Sequence, residues 1–228
     1  MPTRKPARSR KPPVALAPLD VLLPPLQAGQ AADLDGDADL DGVLFDGTDL
    51  SGVHADGASV VDCKLSACRL DEARLRRGRM ASCLFEDVSA TALDMVDTTW
   101  VDVVMRAGRL GAFVAHGADL MRVAFVGVRL DYVNLRGSTL TQVRLMNCRV
   151  GELDVGEAKV TGLQLEECVV EQLVLTGAHL AAVDLSGAQL HGLDGVGSLS
   201  GAIISQDQLT RLAPALAAHL GVEVNHAP

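Results

Sequence analysis

Aromatic side chains are scarce: one Trp, one Tyr and four Phe in 228 residues, 3% of a chain that is 48% apolar. A globular core of this size usually takes its bulk from aromatic rings. One that leans on Leu, Val and Ala instead implies a narrow interior repeated many times. Proline is confined to the ends: seven of the nine lie at or before Pro25, and none lies between Leu26 and Ala213. No stretch approaches the roughly 20 uninterrupted apolar residues of a membrane span. The run Val14–Leu26 is broken by Asp20, Pro18, Pro24 and Pro25, so a signal peptide is not expected. Cysteine numbers five, an odd count with no C-x-x-C pair. That excludes a disulfide framework and the common zinc sites, and favours a reducing, cytoplasmic location.

Charge is unevenly spread. Residues 1–12 hold Arg4, Lys5, Arg8, Arg10 and Lys11 and no acid, whereas the whole chain carries a net charge of −9. Residues 1–13 read as a disordered basic tail, whose five charges suffice only for weak, salt-sensitive contact with nucleic acid or anionic lipid.

What the chain has in abundance is a period of five. Every fifth residue from Leu40 to Leu190 is apolar, 31 positions without exception, including Phe45, Leu50, Met80, Phe85, Trp100 and Phe125. Two residues earlier runs a second phase of small or aliphatic residues, such as Ala38, Val43, Cys63 and Ala118, broken in size only by Phe113. The phase after the central residue is mainly polar, and the next holds 11 of the 22 glycines. Neither a 3.6 nor a 2.0 period fits. Two inward residues per five, followed by a corner that suits glycine, describe a chain that turns at every repeat. Four corners close a square, so one coil takes four repeats. Coils stacked about 4.8 Å apart make nearly eight coils and a rod of about 37 Å over residues 38–192.

This pattern resembles the pentapeptide-repeat family, whose consensus is Ala-(Asp/Asn)-Leu-x-x. The best matches are Ala38-Asp39-Leu40-Asp41-Gly42, Ala118-Asp119-Leu120 and Ala178-His179-Leu180-Ala181-Ala182, with looser ones such as Val133-Asn134-Leu135-Arg136-Gly137. The resemblance implies an all-β, right-handed quadrilateral β-helix. It says little of function, because the motif residues are structural.

A repeat rod needs caps, since an open coil exposes apolar side chains and unpaired edges. Residues 14–37 are expected to fold over the first coil and to include one earlier, irregular repeat at Ala32-Asp33-Leu34. After a connector at 193–204, Ser205-Gln206-Asp207-Gln208 reads as a capping box opening a helix over 205–221. Leu209, Leu212, Leu216 and Leu220 lie on one apolar stripe with Ala213 and Ala217. Gly221 ends the helix, Pro214 is expected to kink it, and 222–228 is a tail. The stripe suits a lid on the last coil. The family resemblance implies in addition that such helices join two rods into a homodimer.

Little points to chemistry. The cysteines Cys63, Cys68, Cys83, Cys148 and Cys168 all fall in the inward small phase, and the six histidines are scattered. Asp37-Ala-Asp39-Leu-Asp41-Gly42 opens like a calcium loop, but Thr48 stands where its last carboxylate belongs and Leu40 is claimed by the core. No nucleophile pairs with a base, and a flat-sided rod offers no deep pocket. A non-enzymatic protein without catalytic residues, cofactor, metal or small-molecule substrate is expected. One surface feature stands out: Arg69, Arg109, Arg129 and Arg149 occupy equivalent places on one side, the last three in consecutive coils with Asp131 and Glu152 nearby. They form a candidate ladder for an anionic partner.

Three functions are compatible with this reading. The resemblance implies, most specifically, a DNA mimic that binds DNA gyrase or a related topoisomerase and protects it from inhibitors, an antibiotic-resistance role. The broader alternatives are an interaction scaffold with another protein partner and an adaptor working through the basic tail. The first requires acids of neighbouring coils to merge into one acidic stripe.

Overall fold

A computed structural model describes residues 21–224; the basic tail expected at 1–13, and the last four residues, lie outside them. The described chain winds as a parallel β-solenoid of about nine turns, ending in one helix. Strands one coil apart pair in parallel, with partners four repeats apart through most of the rod: Thr99–Arg106 pairs with Asp119–Val126, and that with Thr139–Met146. Taking coil 1 as residues 38–57, sides 1 to 4 carry the central residues Leu40, Phe45, Leu50 and Ala55 and their equivalents in later coils.

The five-residue phases translate directly into burial. Of the 31 central residues, 30 are buried and Leu180 is half-buried. The small phase packs beside them and carries its own hydrogen bonds. Cys83 Sγ donates to Val60 O (3.3 Å), and Ser138 Oγ donates to Ala115 O (3.0 Å), each reaching a carbonyl 23 residues back. The exceptional Phe113 is compensated within its own repeat: the next central residue is Ala115, and both are fully buried. Volume is thereby exchanged rather than added. Phe113 joins Phe85, Trp100 and Phe125 in an aromatic belt at mid-rod, with centroid spacings of 5.6 to 5.9 Å. The Trp100 indole N–H, a donor that burial would make costly to leave unpaired, donates to Thr98 Oγ1 (3.1 Å).

Corners follow the expected phase, with one systematic difference. Glycines such as Gly127 (φ +64°) and Gly137 (φ +67°) turn there in the left-handed region, and so do Asp62, Ala107 and Arg122. The corner between sides 3 and 4 is left-handed only at Gly52 and Glu72. From the third coil on, continuous strands such as Arg109–Val114 and Arg129–Asn134 run through it. Ala92, Ala112, Tyr132, Glu152 and Gln172 accordingly stand there where other corners draw glycine.

Both ends extend the rod. Gln27–Ala28 pairs with Val43–Leu44 beneath coil 1, and Ala202–Ile203 pairs with Val183–Asp184 above coil 8. The helix α1, Gln206–His219, opens with the expected capping box at Ser205 and Gln208 and continues through Pro214. Gln208 does more than cap its helix. Its Nε2 donates to Leu185 O and Ala188 O, both at 2.7 Å. These carbonyls lie 23 and 20 residues back, so Gln208 occupies the small-phase place of a missing ninth coil and satisfies its open edge.

Candidate functional site

The outer surface is a set of charged columns held by the coil spacing. On side 3, Arg109, Arg129 and Arg149 stand in register in successive coils, as the four-repeat period requires. Asp131 bridges the first two, accepting from Arg109 Nη2 (2.8 Å) and Arg129 Nε (3.1 Å). The Arg109 hydrogen bond, then that from Arg129, holds the Asp131 carboxyl below the usual carboxylate range. Arg149 has no ion pair among the described residues, and Glu152 does not reach it. With Arg129, Asp131, Gly151, Val169 and Glu171 it lines a shallow depression of about 160 Å³. Arg69, lower on the same side, is tied to Asp49 through both ends of its guanidinium and lies 3.8 Å from Asp71. The four arginines therefore share a column, but only Arg149 is left without an acid.

Six cations on the other sides are also matched to acids one coil away. Arg122 grips Asp102 with two bonds of 2.5 Å on side 1, lowering the Asp102 pKa through those bonds. On side 4, Arg74 and Arg77 converge on Asp56, Arg76 takes Asp94, and Arg136 spans Asp154 and Glu157. Lys64 pairs with Glu86 on side 2. At the strand spacing, like charges stacked directly would repel, and alternation removes that cost.

The acidic stripe that DNA mimicry requires is not present in the expected form. From Asp39 to Asp194 no acid stands one full coil from another, so no carboxylate lies directly above the next in any column. The acids concentrate instead at the foot of the rod. Val21 to Cys63 contains nine aspartates and no Lys or Arg. Of these only Asp49 and Asp56 meet arginines among the described residues, both from coil 2.

Each cysteine is buried and free. Burial pushes the Cys83 thiol up to about 12, and it raises Cys63 and Cys68 as well. A hydrogen bond with Cys168, then burial, raises Cys148. The four raised thiols are suited to filling space and donating to carbonyls rather than to nucleophilic attack. Among the described residues no three His, Cys, Asp or Glu side chains converge as a metal site, and no helix is long and apolar enough to cross a membrane. On α1, Leu212 and Leu216 are half-buried, while Leu209 and Leu220 are 41% and 73% exposed. The stripe thus only partly covers the last coil.

The family model of pentapeptide repeats matches in eight copies over residues 36–71. No curated protein matches the sequence. Among solved structures, trypsin-treated QnrB1, a plasmid-mediated fluoroquinolone resistance protein, is 14% identical, with 88% of this chain and 99% of that one covered at a TM-score of 0.34. HetL, a pentapeptide repeat protein involved in heterocyst differentiation regulation from the cyanobacterium Nostoc sp. strain PCC 7120, is 17% identical, with 74% and 90% covered at a TM-score of 0.30.

Proposed function

Since the chain belongs to the pentapeptide-repeat proteins, we propose that it acts in the cytoplasm by binding protein rather than by catalysis, its acidic foot engaging a cationic surface of the kind that grips nucleic acid. The observation that carries this reading is the concentration of nine aspartates over Val21–Cys63 with no intervening Lys or Arg. Above it, Lys or Arg side chains accompany the acids on every side of the rod, so this end supplies the strongest field for steering a basic partner. DNA gyrase is the first partner to test, as the one the family resemblance implies. Binding through a compact acidic end differs from mimicry by a long acidic stripe: only part of a DNA-binding channel would be filled. The test is a gyrase supercoiling and drug-stabilised cleavage assay with the full chain. Neutralising Asp33, Asp35, Asp37, Asp39 and Asp41 to Asn should remove the effect.

The second part of the reading is a homodimer through α1. Leu209 and Leu220, with Val222 and Val224, leave an apolar surface at the C-terminal end. A second copy would cover it, and Leu209→Glu with Leu220→Glu should shift the sedimenting species from dimer to monomer. A wild-type monomer at tens of micromolar would end that part.

A further inference from the structure

The last full coil is covered on sides 2 and 3 and open on side 1. Ala202–Ile203 pairs above side 2, and Gln208 donates to Leu185 O and Ala188 O at the edge of side 3. Side 1 ends at the strand His179–Ala181, which pairs below with Lys159–Thr161 and has no strand above it among the described residues. The ladder itself shows where pairing stops. In lower coils the small-phase carbonyl of side 1 accepts from the strand above: Ser138 O from Lys159 N and Ala158 O from His179 N, both at 2.9 Å. Ala178 O is next in that series. Leu199 N, which would serve it, turns back instead to Val196 O (3.2 Å) across the short 3₁₀ turn Val196–Ser198. Gly177 N is stranded in the same way. Glu157 N one coil below donates to Thr176 O (2.9 Å), whereas neither Gly177 N nor Ala178 O finds a partner among the described residues.

Gly177, Ala178 and Leu180 therefore face Gly197, Ser198 and Ser200 across an open wedge of about 430 Å³, with His179 at its rim. Leu180 is the one central residue of the 31 that is only half-buried. One extended stretch ordered as the repeats are would close this edge: an aliphatic residue over Ala178, a polar one over His179 and an apolar one over Leu180. Charge narrows the middle place, because Lys159 and His179 stand exposed in that column and an acid suits a place above them. Val222-Glu223-Val224 reads in that order, as Leu153-Asp154-Val155 does within the rod. Val222 and Val224 are 55% and 60% exposed, and the wedge of their own chain does not include them among its walls.

We propose that Val222–Val224 of a second copy adds to side 1 as the missing strand, the two copies exchanging tails. This rests on the homodimer through α1 proposed above and says what completes it. The exit of the tail and the seat adjoin. The His219 ring packs on Gly197, where a built Cβ would lie 2.7 Å from its Cε1, and Gly197 lines the wedge. Two residues later Gly221, at φ +68°, has turned the chain out of α1. A two-fold axis beside these residues lets both tails cross in one contact. Strand addition supplies main-chain partners for Gly177 N and Ala178 O, while alternate side chains decide which segment fits. Val224 then gives Leu180 the cover it lacks, and Glu223 stands one strand spacing, about 4.8 Å, from His179.

Disulfide trapping with the full chain tests this. His179→Cys and Glu223→Cys are made in separate chains, one of them tagged, then mixed and treated with oxidised glutathione. Both positions are exposed, whereas the five native thiols are buried. Oxidation joins the two new thiols and reduces the reagent to two glutathione thiols. Paired strands hold Cα atoms about 4.8 Å apart, within the span of about 4.4–6.8 Å that a disulfide bridges. The expected product is a disulfide between tagged and untagged chains, lost when Val224→Asp is added to the Glu223→Cys chain, with Trp100 emission native throughout. Sedimentation of the wild type separates the two readings. A dimer whose variants form no such disulfide rejects the exchange and leaves the α1 dimer standing; a monomer at tens of micromolar rejects both. A disulfide that survives Val224→Asp would overturn the seat. So would an internal disulfide formed in place of the interchain one when both substitutions share a chain, since the tail would then lie on its own rod.

Discussion

Gly108 and Gly127, one residue short of a full coil apart, should respond very differently to the same added methyl group. Gly108 sits in the small inward phase of side 3 at φ +91°. A Cβ built there would overlap Val88 O and lie 2.8 Å from Val88 N. That carbonyl belongs to the ladder, accepting from Arg109 N at 2.9 Å. To restore contact distance the coils must part by about 1 Å along the rung that joins them. Overpacking of this kind costs about 1–3 kcal/mol, and the left-handed backbone adds about 1–2 kcal/mol. Gly108→Ala should therefore lose roughly 3 kcal/mol. Gly127 is left-handed too, at φ +64°, but stands at a corner with no atom within 4 Å of the new Cβ. Only the backbone term applies, and restriction of the unfolded chain offsets about 0.4–1 kcal/mol of it. Gly127→Ala should lose at most about 1.6 kcal/mol. Guanidinium unfolding followed by emission of buried Trp100 measures both on one scale. Equal losses, or a Gly108→Ala protein as stable as wild type, would refute the claim that the five-residue phase decides the outcome.

Three further outcomes follow from the same geometry. Gln208→Ala deprives Leu185 O and Ala188 O of their donor and breaks the capping box, a loss of about 2–4 kcal/mol local to the last coil. Amide exchange should quicken over residues 183–194 and leave coils 3–6 unchanged. Arg122 lowers the Asp102 pKa in the folded state, so its stabilisation is full above the unfolded carboxylate pKa of about 3.9 and is lost as pH falls through the depressed value. The urea midpoints of wild type and Arg122→Gln should then differ most above about pH 5 and converge near pH 2; a constant gap would mean the arginine acts by packing alone. All five thiols should resist a disulfide reagent at pH 8 in the native rod and react together on unfolding.

The fold is legible because a solenoid repeats one local rule, and 31 consecutive tests of that rule leave no alternative period. Phe113, the single misfit in the small phase, is visible as a misfit; its compensation by Ala115 is clear once both point into one coil. The straight corner between sides 3 and 4 is harder to see. Ala92, Ala112 and Tyr132 do not announce extended backbone, and only the pairing of whole coils places them in a strand. The arginine ladder can be found by sorting positions coil by coil, yet its ion pairs cannot. Which acid meets which guanidinium depends on diagonal reach between coils, as in Arg136 to Asp154 and Glu157.

The proposal of a protein-binding rod with an acidic foot is tested most directly by adding the full chain to DNA gyrase with a fluoroquinolone, beside the variant with Asp33, Asp35, Asp37, Asp39 and Asp41 changed to Asn. The expected result is protection from drug-stabilised cleavage at concentrations that spare supercoiling, weakened by salt and abolished in the Asn variant. No effect at micromolar protein would contradict the gyrase reading. Protection fully retained by the Asn variant would contradict the assignment of the foot as the binding surface.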